Sequence, residues 1–170
     1  FGLKRSVWND YSGNGFNIPQ PVAANQPVVL ANGVNFNPTA SFTSPQFFGP
    51  GGHVVDPASS VFGNAIPQNI AVFGVSTIST GTGGGGIFGQ TTTNNYPVAA
   101  VPSYKNETVW DAPYAYPLTT PFTGTLNKQN VWGFTKTTSN MSIFKDRATI
   151  ASANNSYVYT GTGGNYASHI

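Results

Sequence analysis

Cysteine is absent from the 170-residue chain, which excludes disulfides, thiolate zinc sites and thiol nucleophiles. Charge is almost as scarce. Seven basic and five acidic residues make up 7% of the sequence, against roughly 25% in an ordinary domain. The bases (Lys4, Arg5, Lys105, Lys128, Lys136, Lys145, Arg147) are scattered, and their densest group, Lys145-Asp146-Arg147, carries its own acid. Nucleic-acid binding draws its free energy from clustered Lys and Arg, so no direct nucleic-acid partner is expected. No apolar run reaches the roughly 18–20 residues of a membrane span, and no charged-then-apolar leader opens the sequence as given.

The shortage of acids and histidines also limits catalysis. The acids are Asp10, Asp56, Glu107, Asp111 and Asp146, and the histidines are His53 and His169. Glu107 and Asp111 are close in sequence, but on a strand an i, i+4 pair is about 13 Å apart, too far for a glycosidase pair. His53 and Asp56 sit at i, i+3 in GGHVVDP, a spacing that orients an imidazole and equally suits a loop histidine beside a turn-forming Asp-Pro. No G-x-S-x-G is present. There is no calcium loop of alternating acids and no H-E-x-x-H. The sequence therefore predicts a non-enzymatic protein without metal or cofactor. Gly81, Gly83 and Gly86 satisfy G-x-G-x-x-G after a strand-like run. The stretch that follows, IFGQTTTNNYP, lacks the helix whose N-terminus would hold a pyrophosphate.

What is abundant points to β structure. Val, Ile and Thr total 42 residues, while Leu, Glu, Lys, Arg, Met and Gln together total 19. Branched side chains fit a pleated surface and lose rotamer freedom in a helix. The 20 glycines and 13 prolines break most long helices. Aromatics at 14% and a low net charge of +2 oppose disorder. About nine strands are predicted, over 27–36, 69–80, 86–93, 97–101, 107–110, 130–137, 142–145, 148–152 and 156–160. Within the first of these, Asn32-Gly33 is the strongest hairpin signal, because a type I′ turn needs positive φ twice. Met141–Ala153 is the one stretch compatible with a helix, N-capped by Asn140. The competing reading has two short strands turning at Lys145-Asp146-Arg147.

This spacing predicts an all-β fold, a single antiparallel sandwich or jelly-roll-like domain over residues 13–170. Residues 1–12 form an extended N-terminal arm, with Phe1, Leu3, Val7 and Trp8 as candidate interface residues. Residues 10–26 and 37–60 are long polar segments of weak periodicity, which in compact domains belong to binding surfaces or interfaces. The segment IPQPVAANQPVVLANGVNF (18–36) resembles the first strands of trimeric fibre-tip and C1q-like jelly rolls. It covers under a fifth of the chain and contains no diagnostic residue, so no family follows from it.

The most distinctive stretch is Trp110-Asp111-Ala-Pro-Tyr114-Ala-Tyr116-Pro. Rings held by prolines make a rigid platform on which a sugar stacks, with Asp111 bonding a hydroxyl. The same residues suit a subunit interface or a core corner. Asn106-Glu-Thr, Asn140-Met-Ser and Asn154-Asn-Ser match the acceptor pattern for N-glycosylation. The motif Thr-Gly-Thr-Gly-Gly occurs at 80–84 and again at 160–164, and the flanks do not align as two halves would.

A charge-poor surface has little self-repulsion, and exposed strand edges invite another chain. The sequence-level expectation is a structural subunit of a repeated assembly, a capsid or fibre component of a virion or an extracellular filament. Its partners would be copies of itself or other subunits, joined through strand edges and the arm. The alternative is a secreted carbohydrate-binding or adhesive module using Trp110, Tyr114 and Tyr116.

Overall fold

The computed structural model describes residues 2–43, 69–80, 86–91, 98–111, 117–156 and 167–169. The strand predicted over 156–160 beyond Ser156 and the glycines of the repeated Thr-Gly-Thr-Gly-Gly motif, together with His53, Asp56, Tyr114, Tyr116 and Phe1, lie outside these residues. The described chain is all-β and antiparallel, with a single 3-10 turn at Ala23–Asn25. The candidate helix over 141–153 is two strands.

Residues 2–43 hold five strands: β1 (Leu3–Lys4), β2 (Val7–Trp8), β3 (Ile18–Pro19), β4 (Val28–Val34) and β5 (Asn37–Ser41). The arm is therefore docked within its own chain. Leu3 and Lys4 face Val29 and Val28, and Val7 and Trp8 face Pro19 and Ile18. Ile18 and Gln20 are buried beneath it, and the Gln20 Oε1 accepts from the Val22 N–H at 3.0 Å. Backbone pairing and these two buried side chains hold an otherwise polar segment in place.

The β4–β5 hairpin forms where the sequence expects one, but its turn is Asn35-Phe36, not Asn32-Gly33. Both turn residues have positive φ (47° and 62°), as a two-residue type I′ turn demands. Gly33 serves a different purpose. It lies in a bulge between Leu30 and Val34, where a Cβ would overlap the Thr39 side chain.

The larger unit is a sandwich. One sheet has the order β10-β9-β8-β7-β14, with β7 (Phe88–Thr91), β8 (Val98–Tyr104), β9 (Glu107–Asp111), β10 (Leu118–Pro121) and β14 (Ala167–His169). The other runs β13-β12-β11-β6, with β6 (Ile70–Thr77), β11 (Gln129–Lys136), β12 (Asn140–Lys145) and β13 (Ala148–Asn154). Strands β9 and β10 lie over β12 and β13. Side chains alternate across a strand, so one face of each sheet supplies the core: Ile70, Trp132, Phe134, Met141 and Ile143 from one, Ala100 and Trp110 from the other. Two further hairpins turn on Lys105-Asn106 and Asp146-Arg147, again with positive φ at both residues. In the second, Asp146 Oδ1 accepts from the Val131 N–H at 2.9 Å and its other oxygen meets Lys145 Nζ. These bonds, the Lys145 contact first, hold the Asp146 carboxyl below the usual range.

Candidate functional site

Among the described residues β6 pairs with β11 alone and is thus the edge of its sheet. Its sequence, IAVFGVST, contains no charge and no proline, the two devices that usually blunt an edge. The register sets Gly74 opposite Trp132, Phe73 opposite Gly133 and Val75 opposite Val131. Ile70, Val72 and Gly74 therefore face the core with Trp132 and Phe134, while Phe73, Val75 and Val131 share the outer face. These three are 71%, 63% and 50% exposed. Gly133 leaves room for the Phe73 ring to lie over β11, since a Cβ there would sit 2.8 Å from that ring. Phe144, also opposite Gly133, extends the apolar row to β12. The other edges of the sandwich are weaker invitations: β14 has three residues, β10 is short and ends on Pro121, and β13 offers small or polar side chains over 148–154 apart from Ile150, which packs against the core.

Trp110, the leading sequence candidate for a sugar platform, is a core residue. None of it is exposed, its ring packs 5.7 Å from that of Phe134, and its Nε1 donates to the Thr135 carbonyl at 2.9 Å. A ring enclosed between two sheets presents no face to a glycan or to another chain. Asp111 ends β9 opposite Ala99, with Glu107 at the other end of the same strand. A depression is lined by Pro117, Leu118, Met141, Ala153, Asn154, Asn155 and Ser156, and none of these residues is charged. On the arm, Leu3, Val7 and Trp8 remain 68%, 38% and 44% exposed despite their backbone pairing.

The three glycosylation acceptors differ in setting. Asn106 stands at a hairpin tip with φ of 66°, exposed, with its Thr108 buried and donating to the Pro102 carbonyl at 2.8 Å. The Asn140 Oδ1 accepts from Ser142 Oγ at 2.8 Å and Ser152 Oγ at 3.2 Å. Asn154 is exposed and lies opposite Asn140 in the β12–β13 register. Gly86, the last glycine of the G-x-G-x-x-G pattern, leads into strand β7, so the helix a dinucleotide needs does not follow it. Among the described residues no three His, Asp or Glu side chains converge to hold a metal, and no helix is long and apolar enough to cross a membrane.

Sequence reasoning missed a buried cation. Lys136 is only 5% exposed and its Nζ donates to the Thr137 and Asn155 carbonyls, at 3.0 and 3.3 Å. Burial lowers its pKa, because a desolvated ammonium is disfavoured. The folded state thus binds this proton less readily than the unfolded chain. Stability held back by Lys136 at neutral pH is recovered as pH rises through the folded pKa toward about 10.4, the unfolded value. Wild-type melting temperature is expected to climb over the alkaline side of this range, and Lys136→Met to remove the climb. Thermal melts from about pH 7 to 11, across the unfolded lysine value, on both proteins check it.

Comparison with protein-family models and with curated proteins gives no match for this chain.

Proposed function

We propose that this chain is a non-enzymatic structural subunit of a repeated assembly, a capsid or fibre component of a virion or an extracellular filament. The observation that carries this reading is β6, an eight-residue uncharged edge strand with Phe73 and Val75 exposed beside Val131. An edge of this kind is a template for another strand, and apolar side chains on its outer face add area that a neighbouring subunit buries. The low overall charge adds little repulsion between copies. The arm supports the same reading, because the β1–β4 pairing it makes within the chain is reproduced between chains when such a segment is exchanged.

Light scattering on a size-exclusion column, with negative-stain images of the same fractions, tests the proposal. Closed oligomers, rods or particles are expected, and their shape separates capsid, fibre and filament. A monodisperse monomer of 17.9 kDa at high concentration overturns it.

A further inference from the structure

We infer that β6 pairs with β6 of a second copy of this chain, antiparallel across a two-fold axis at Gly74, joining two four-stranded sheets into one. The inference rests on the assembly reading above and specifies its contact.

The backbone direction of β6 follows from its neighbours. On β11, Val131 accepts at its carbonyl from the Asp146 N–H at 2.9 Å. Just past the strand, Thr137 donates its N–H to the Asn140 carbonyl at 2.8 Å. Odd-numbered residues of this stretch thus point their backbone groups at β12, and even-numbered ones point at β6. Through the register Trp132↔Gly74, the even residues of β6 bond to β11. The Ile78 carbonyl, accepting from Asn127 at 2.8 Å on that same side, agrees. Ala71, Phe73, Val75 and Thr77 are left with N–H and C=O aimed at the edge that no other described strand pairs, and these same four have the exposed side chains.

That coincidence restricts the partner. A two-fold antiparallel pair matches residue i with j at a constant sum, and an odd sum sets an outward-aimed residue against an inward-aimed one. Only even sums satisfy both the backbone and the faces of the sheet. Among these, the axis at Gly74 sets Phe73 against Val75 of the copy and Ala71 against its Thr77. All four outward residues then exchange paired hydrogen bonds. Moving the axis to Phe73 or Val75 leaves one of the four opposite a residue outside the strand. The exposure pattern from 71 to 77 reads the same in both directions about Gly74, so the strand is complementary to itself. Its lack of charge means that a copy meets no like charge, and a partner selected by charge has nothing to bind. Aromatic against β-branched is also a favourable cross-strand pair.

The test uses the whole chain. Proline at position 75 leaves the β11 ladder intact, because the Val75 N–H points away from it. Proline there removes one donor and blocks the edge. Val75→Pro is expected to lower the scattering mass at least twofold with an unchanged far-UV spectrum. In the assembled wild type, residue-resolved hydrogen exchange is expected to slow the amides of Ala71, Phe73, Val75 and Thr77 by at least about 100-fold relative to an open edge. Wild-type assemblies whose four amides exchange as an open strand, or a folded Val75→Pro protein that assembles like wild type, overturn the β6 pairing and leave the assembly reading standing. A wild-type monomer overturns both. If Val75→Pro fails to fold, the exchange measurement on the wild type decides.

Discussion

Trp110→Ala is expected to cost about 3–5 kcal/mol of stability, the usual range for a buried aromatic cut to alanine. That is a large share of the 5–15 kcal/mol that holds an ordinary domain folded. Two things are lost at once. The ring leaves a cavity between the sheets beside Phe134, and the only direct hydrogen bond from the indole to the opposite sheet, at the Thr135 carbonyl, disappears. Trp132→Ala belongs in the same range, because its ring is fully buried and lies 6.2 Å from the stacked Phe122 ring. Phenylalanine at the two positions separates packing from hydrogen bonding. The Trp132 indole N–H is buried without a hydrogen-bond partner among the described residues, so Trp132→Phe removes a polar group unpaired there along with some volume. Trp110→Phe instead removes the indole bond to the Thr135 carbonyl. Denaturant unfolding is expected to rank Trp110→Phe as the more damaging by about 1 kcal/mol. Equal losses would assign no net worth to the bond between the sheets.

The second large effect concerns association and leaves the fold untouched. Phe73→Lys with Val75→Lys is expected to weaken self-association by about 100-fold or more, equivalent to about 3 kcal/mol, with the melting temperature near wild type. Both side chains are mostly exposed, so the folded subunit loses little when they change. Across a two-fold axis at Gly74 each lysine would face another lysine of the copy, and like charges directly opposite destabilise a strand pair. Raising the salt concentration should restore part of the association, since exposed charges are screened. Scattering mass against protein concentration, at low and high salt, measures all of this. A doubly substituted protein that associates as tightly as wild type would place the contact elsewhere on the subunit.

The strands were legible where the chemistry is local. The β-branched runs at 69–80, 130–137 and 148–152 signal extended structure by composition alone, and each overlaps a strand. The turn at Asp146-Arg147 was marked by a charged interruption between two such runs. Strand β10 escaped because Leu118–Pro121 has four residues and no alternation long enough to read. Asn32-Gly33 misled for a physical reason. The dipeptide suits a turn, but the ladder from Val28 to Leu30 against Thr39 to Ser41 fixes the register and moves the reversal to Asn35-Phe36.

The site was less legible than the fold. Trp110 stood out by chemical character, and character does not report depth. Its burial depends on β9 crossing β12, a contact between residues far apart in the chain. Lys136 gave no signal either, because a lysine in a strand reads as solvated until its neighbours enclose it. The alternation of IAVFGVST is present in the sequence and implies two faces. Which face meets the core, and that no described strand covers the far side of β6, depends on how four strands order themselves. By itself the sequence determined a charge-poor, cysteine-free, all-β chain, because composition and period-two patterning are properties of single residues and near neighbours. The tertiary structure alone decided which aromatics are core, which strand is an edge and which way its amides point. Those depend on pairings between segments that local chemistry does not select.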